Sequence, residues 1–182
     1  MLIHLNGWPG AGKLTVGREL ARLLGARLLD NHTLHNIPLS LCDRGTEAYW
    51  NLYYRVRELA YGRMREMPAG DVFVLTNALT REAPREIEAW AAVRRLAAER
   101  GDRLVAVTLD CELEENLRRV QARDRLAHRK LVEPAPLAGW RAGGYTLQTG
   151  QGADHALVLD NTRLSPLATA ELIRDYLQGL GL

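Results

Sequence analysis

Gly7-Trp8-Pro9-Gly10-Ala11-Gly12-Lys13-Leu14-Thr15 decides how the rest of the chain is read. The stretch fits G-x-x-x-x-G-K, a glycine-rich turn whose backbone N–H groups cradle phosphates while its lysine reaches the terminal ones. Upstream, Leu2-Ile3-His4-Leu5 is a short strand-like run. Downstream, Val16, Leu20, Leu23 and Leu24 recur at helical spacing until Gly25, a natural helix stop. Strand, tight turn and helix in that order aim a helix N-terminus at an anion. A nucleotide-phosphate site is therefore expected, lined by Gly7, Pro9, Gly10, Ala11, Gly12, Lys13, Leu14 and Thr15.

The position after the lysine usually carries Ser or Thr, whose hydroxyl ligates magnesium. Here it is Leu14, and the hydroxyl arrives one residue later at Thr15. Magnesium is then expected to rest on phosphate oxygens, waters and a carboxylate from elsewhere, which suits an ion that keeps several waters. The loop resembles the adenylate-kinase form, G-x-P-G-x-G-K-x-T, in which that hydroxyl is also missing. The resemblance implies a small-molecule kinase rather than a motor or switch NTPase.

At 182 residues the chain suits a single domain, 1–182, large enough to bury a proper core. Hydrophobic residues at 47% and charged residues at 25% are ordinary globular usage. A net charge of +2, spread along the sequence, argues against a dedicated nucleic-acid surface. Cys42 and Cys111 form no framework or ligand spacing, so a reduced, cytoplasmic protein is expected. The apolar start is too short for a membrane span or signal peptide and reads as a buried strand.

Five strand candidates alternate with helical patterns. After the first come Ala26-Arg27-Leu28-Leu29-Asp30, Val72-Phe73-Val74-Leu75-Thr76, Leu104-Val105-Ala106-Val107-Thr108-Leu109 and Ala156-Leu157-Val158-Leu159-Asp160. Helical spacing is carried by Tyr49, Tyr53, Val56, Ala60 and Met64, by Ile87, Trp90, Val93 and Ala97, by Leu113, Leu117 and Val120, and by Ala168, Leu172, Ile173 and Tyr176. Such alternation predicts an α/β fold, a parallel sheet covered by helices on both faces. Residues 132–152 hold two prolines and five glycines without a clear period, a composition expected of a lid or a disordered loop.

Ligands of open α/β sheets bind beyond the carboxyl ends of the strands. Asp30 ends the second strand, where it positions magnesium through a water, accepts a proton from an attacking hydroxyl, or caps the next segment. Shikimate- and gluconate-kinase-like proteins look similar there but carry Asp-x-Asp; His32 replaces the second acid. His32 is thus either an acceptor ligand or a surface histidine, and His35 and Asn36 are weaker candidates. Thr76-Asn77 stands where many such enzymes place a magnesium-supporting acid. Asn77 either hydrogen-bonds a phosphate or acceptor or is structural. The segment also lacks the Asp-Gly-Phe-Pro-Arg run of adenylate kinases, which weakens a nucleoside monophosphate as acceptor. Asp110 reads as a helix cap. Arg55, Arg57 and Arg63 lie on a helix expected to overhang the acceptor, with Arg57 the candidate ligand for an anionic acceptor and a solvated polar face the alternative.

Arg118-Arg119-Val120-Gln121-Ala122-Arg123-Asp124-Arg125 places Arg119 and Arg123 on one helix face, either as a phosphate clamp or as a solvated surface. The R-x-x-x-R spacing resembles the entrance to the lid of adenylate and shikimate kinases. That resemblance implies that Arg119 packs on the adenine and Arg123 serves as transition-state cation, with Arg125, Arg129 and Lys130 as further lid candidates. The turn Asp160-Asn161-Thr162 would border the base, with Asn161 contacting it or forming an ordinary turn.

Taken along the chain, the sequence resembles P-loop small-molecule kinases of the adenylate/shikimate-kinase-like group, whose relatives include sugar-acid kinases and antibiotic-modifying phosphotransferases. The resemblance implies a three-layer P-loop NTPase fold, a five-stranded parallel sheet with the phosphate-loop strand in the middle, and a mobile lid at about 124–152. It also implies ATP and Mg2+ as cofactors and a small hydroxylated metabolite or antibiotic as acceptor, handled by a monomer or homodimer. Lys13, Asp30 and Arg123 are then the catalytic candidates. Two other classes stay open: a nucleotide-binding sensor, suggested by Leu14 and the missing third-strand acid, and a nucleoside monophosphate kinase.

Overall fold

The run Leu2–Gly7 becomes strand β1, and all six of its residues are buried, so the strand is covered on both faces. The computed structural model describes residues 1–122 and 131–182. The further strands are β2 (Arg27–Asp30), β3 (Phe73–Thr76), β4 (Leu104–Asp110) and β5 (His155–Asp160). They form one parallel sheet in the order β2-β3-β1-β4-β5, which puts the phosphate-loop strand in the centre. Ile3 pairs with Val74 on one side and Val105 on the other, and Asp30 lies level with Thr76.

The described residues also form helices α1 (Lys13–Leu24), α2 (Asn31–Leu41), α3 (Glu47–Glu66), α4 (Pro84–Arg100), α5 (Leu113–Val120), α6 (Pro134–Ala142) and α7 (Pro166–Gly179). Alternation along the strands splits the core in two. Ile3, Leu5, Val74, Val105 and Val107 face α1 and α7 through Val16, Leu20, Ala170, Ile173 and Leu177. Leu2, Phe73, Leu75 and Leu104 face α3 and α4 through Tyr61, Met64, Trp90, Val93 and Leu96. Each such large apolar side chain contributes roughly 1.5–3 kcal/mol on burial. A smaller cluster of Trp8, Val120, Leu137 and Leu147 fastens α5 and α6 beside the glycine loop.

Three features depart from the sequence reading. Residues 31–41 are helical although Pro38 lies inside the helix; burial of Leu34 and Pro38 and packing on α3 hold it. Residues 134–142 are helical too, with Leu137 fully buried, and Thr80 bridges to Leu147 beyond them, so this part of the expected lid is packed. Asp110 caps no helix: Glu112 holds the N-cap position of α5, while Asp110 Oδ1 accepts from the amide of Cys111 at 2.9 Å. Arg123, Arg125, Arg129 and Lys130, with the start of the expected lid, lie outside the described residues.

Candidate active site

The loop from β1 to α1 is shaped by where its carbonyls go. Lys13 Nζ donates to the Gly7 and Trp8 carbonyls at 2.6 and 2.9 Å. Asn116 Nδ2 on α5 donates to Pro9 O, and Asn161 Nδ2 after β5 donates to Ala11 O, each at 2.8 Å. Thr15 Oγ1 and the amide of Val16 both donate to Gly12 O. With its carbonyls engaged in this way, the loop is left to offer N–H groups to a ligand. Helix α1 begins at Lys13 with no side-chain cap and no acid in its first turn, so its N-terminal amides and dipole are left for an anion. Two glycines permit the path: a Cβ on Gly7 would overlap the Leu109 carbonyl, and one on Gly10, at φ 90°, would meet the Asn116 amide at 2.8 Å.

A cleft of about 590 Å³ runs past this loop. Pro9, Gly10, Gly12, Lys13, Leu14, Thr15, Asp30, His32, Asn77, Arg119 and Asn161, all expected from the sequence, line it together. Gly7 and Ala11 support the loop from behind, Ala11 being fully buried. Arg57 does not line the cleft. Its guanidinium makes two 2.8 Å bonds to Glu88 of α4, and it is 4% exposed, so it clamps α3 to α4. Arg55 and Arg63, on the same helix, are exposed and also away from the cleft.

Asp30 occupies the N-cap position of α2 yet makes no capping bond. Instead its Oδ1 accepts from Thr76 Oγ1 at 2.5 Å, a hydroxyl that also accepts from the amide of Asn31. The parallel register that sets Asp30 beside Thr76 thus aligns the carboxylate along the cleft wall. Of the two carboxylates lining the cleft, Glu115 is bonded to Arg118 and Arg119 and held down to about 2 by them. Among the described residues no group of three or more His, Cys, Asp or Glu is arranged to hold a metal. That donor set fits an ion carried mainly by phosphates and water.

At the opposite end, Arg119 donates to the carbonyls of Asn161 and Thr162 at 3.0 and 2.8 Å and to Asn161 Oδ1 at 3.3 Å. Asn161 is 2% exposed, and its carboxamide holds the glycine loop on one side and Arg119 on the other. At the Asp30 end, α2 and α3 meet through a polar chain: Tyr53 Oη donates to Asn31 Oδ1, Asn31 Nδ2 to His35 Nε2, and His35 Nδ1 to Tyr49 Oη at 2.6 Å. The His35 ring stacks on Tyr53 with centroids 4.3 Å apart, and burial pushes its pKa down to about 4.

Sequence reasoning missed Asn116, Thr76, Arg44 and Arg118. Thr76, Arg44 and Arg118 line the cleft. Arg118 belonged to a cluster the sequence displayed, whereas Arg44 carries no local pattern.

Residues 2–143 match the profile of a protein family described as AAA domain. The chain belongs to that family. Solved structures share its fold over nearly the whole length. A presumed kinase from Chloroflexus aurantiacus superposes with TM-score 0.71 at 17% identity, covering 98% of this chain and 96% of that one. Shikimate kinase from Acinetobacter baumannii, in complex with shikimate, gives TM-score 0.60 at 22% identity, covering 100% and 94%. APS kinase from Mycobacterium tuberculosis, in complex with AMPPNP and APS, gives 0.59 at 22%, covering 97% and 96%. At these identities the likeness establishes the P-loop kinase fold. Among curated proteins none matches the sequence.

Proposed function

We propose that this AAA-domain chain is an ATP- and magnesium-dependent phosphotransferase acting on a hydroxyl of a small metabolite or antibiotic. The observation that carries the reading is the single cleft in which the Lys13 loop, Asp30 and the Arg119–Asn161 turn meet. In this reading Lys13 exchanges its two loop carbonyls for phosphate oxygens, and the amides of the loop and the first turn of α1 hold the rest of the triphosphate. Asp30, oriented by Thr76, holds a magnesium-bound water or takes the proton of the acceptor hydroxyl. Magnesium, when bound, neutralises charge on the phosphate oxygens. In this reading His32 and Asn77, which line the cleft, serve the acceptor or the phosphoryl group being transferred, and Arg119 serves the base. Catalysis of this type is mostly positioning and electrostatics, which suits a cleft with few acid–base groups. A cytoplasmic setting is part of the proposal and is consistent with two free cysteines, Cys42 and Cys111. Among the described residues no helix is long and apolar enough to cross a membrane.

Lys13→Ala is expected to abolish phosphoryl transfer with circular dichroism unchanged; wild-type-like turnover in that variant would remove the proposal. A screen of hydroxylated acceptors with radiolabelled ATP identifies the substrate. The sensor reading draws on Leu14 and on Thr76, which supplies a hydroxyl where a metal-supporting acid was expected. ATP binding without turnover across the whole screen would favour it.

A further inference from the structure

Strand β1 carries His4 and Asn6, two residues apart and so on one face, each 1% exposed. Polar groups buried in a central strand destabilise the fold unless they are bonded, and both bond to the segment that follows β3. Asn6 Nδ2 donates to the carbonyls of Leu79 and Gln148 at 2.9 and 2.7 Å, and its Oδ1 accepts from the amide of Leu79 at 2.7 Å. His4 Nε2 lies 3.0 Å from Asn77 Oδ1.

Burial pushes the His4 pKa down to about 4, so the ring is neutral near physiological pH and carries one N–H. Asn77 Oδ1 can only accept, so the 3.0 Å contact is a hydrogen bond only when the ring proton sits on Nε2 rather than Nδ1. That bond turns Oδ1 of Asn77 toward the core and its Nδ2 the other way. Asn77 is 7% exposed and lines the cleft, and its Nδ2 donates to nothing among the described residues. The Lys13 ammonium is close enough to act on the His4 ring. Asn77 and Lys13 line the same cleft.

We propose that His4 is a positioning residue whose Nε2–H holds Asn77, so that the carboxamide NH2 faces the cleft as a neutral donor to the terminal phosphoryl oxygens of bound ATP. The proposal rests on the kinase reading above. It narrows the choice that the sequence left open for Asn77, a phosphate or acceptor ligand or a structural residue, to a phosphate ligand held by His4.

Nitrogen-15 spectroscopy of the imidazoles in nucleotide-free protein tests the first half. His4 is expected to carry its proton on Nε2; a proton on Nδ1 overturns the proposal. Calorimetry with magnesium and either ADP or AMP-PNP tests the second half. Asn77→Leu is expected to weaken AMP-PNP binding roughly tenfold or more while ADP binding changes by less than about twofold, the effect of losing one donor to a charged oxygen. His4→Leu, apolar in an apolar layer, follows Asn77→Leu; His4→Gln, whose amide can still donate to Asn77, regains most of the loss. Equal losses for the two nucleotides, or none, overturn the assignment. If the wild type bound neither nucleotide, the kinase reading would fall and the phosphoryl role with it, while the His4 tautomer would still decide how Asn77 is held.

Discussion

A hydroxyl rather than an acid closes β3, and it holds the carboxylate to which the proposed chemistry gives a role. Thr76 Oγ1 donates to Asp30 at 2.5 Å and accepts from Asn31 N–H at 3.2 Å, so a single side chain ties β2, the start of α2 and the cleft wall. Thr76→Val keeps the shape and removes both bonds. Turnover is expected to fall roughly tenfold to a hundredfold with little change in the unfolding midpoint, the cost of a misaligned charged hydrogen-bond partner. Unchanged steady-state kinetics would show that Asp30 needs no such support. At this scale the sequence was legible for position: Lys13 and Asp30 line one cleft, as their places at the ends of consecutive strands implied. It was not legible for Arg57, because an arginine written on a polar helix face looks the same whether it meets solvent, substrate or a neighbouring glutamate. Only the packing of α3 on α4 reveals Glu88.

Helices announced themselves where ends and period agreed. Thr46 caps α3 by accepting from the amide of Tyr49, Gly101 closes α4 in the left-handed region at φ 67°, and Ser165 caps α7. Helices α2 and α6 were hidden because their stability is tertiary. Pro38 and the polar start Asn31-His32-Thr33 disguise the first. The second is rich in glycine and proline and is held by Leu137 against Trp8 and Val120 and by Arg141, which donates to Cys111 O and Asn116 Oδ1. The Arg57–Glu88 clamp makes a prediction for the pair α3 and α4. Glu88→Ala takes the two-bonded carboxylate from a guanidinium that is 4% exposed and leaves it Glu58 at 3.6 Å. Stability is expected to drop by about 2 kcal/mol while ADP affinity, measured by calorimetry, stays at the wild-type value. A loss of ADP affinity would mean that the clamp reaches the cleft.

For the molecule as a whole, two histidines tie stability to pH, His4 buried and His35 half-buried. His4 and His35 are both lowered from 6.5 to about 4 by burial. As pH falls below 6.5 the unfolded chain takes up protons that the native state refuses until about 4, so stability is full above this window and declines through it. His4 alone contributes on the order of 3 kcal/mol to that decline. Urea midpoints followed across the window check the slope; a flat profile would mean that the rings are solvated. The central place of β1 was legible only through the family resemblance, and burial of β3 and β4 through runs whose only polar residues are Thr76 and Thr108; the rest of the strand order was not read from the sequence.

The braces on the glycine loop come from far along the chain: Asn116 is 107 residues beyond Pro9, and Asn161 is 150 beyond Ala11. Neither can act until α5 has docked and β5 has joined the edge of the sheet. The cradle thus depends on distant parts of the chain, and a fragment carrying the full glycine motif but lacking α5 and β5 would lack both braces. Competence to bind and global cooperativity should arrive in one and the same transition, which makes a nucleotide a direct reporter of whether the last strand is home.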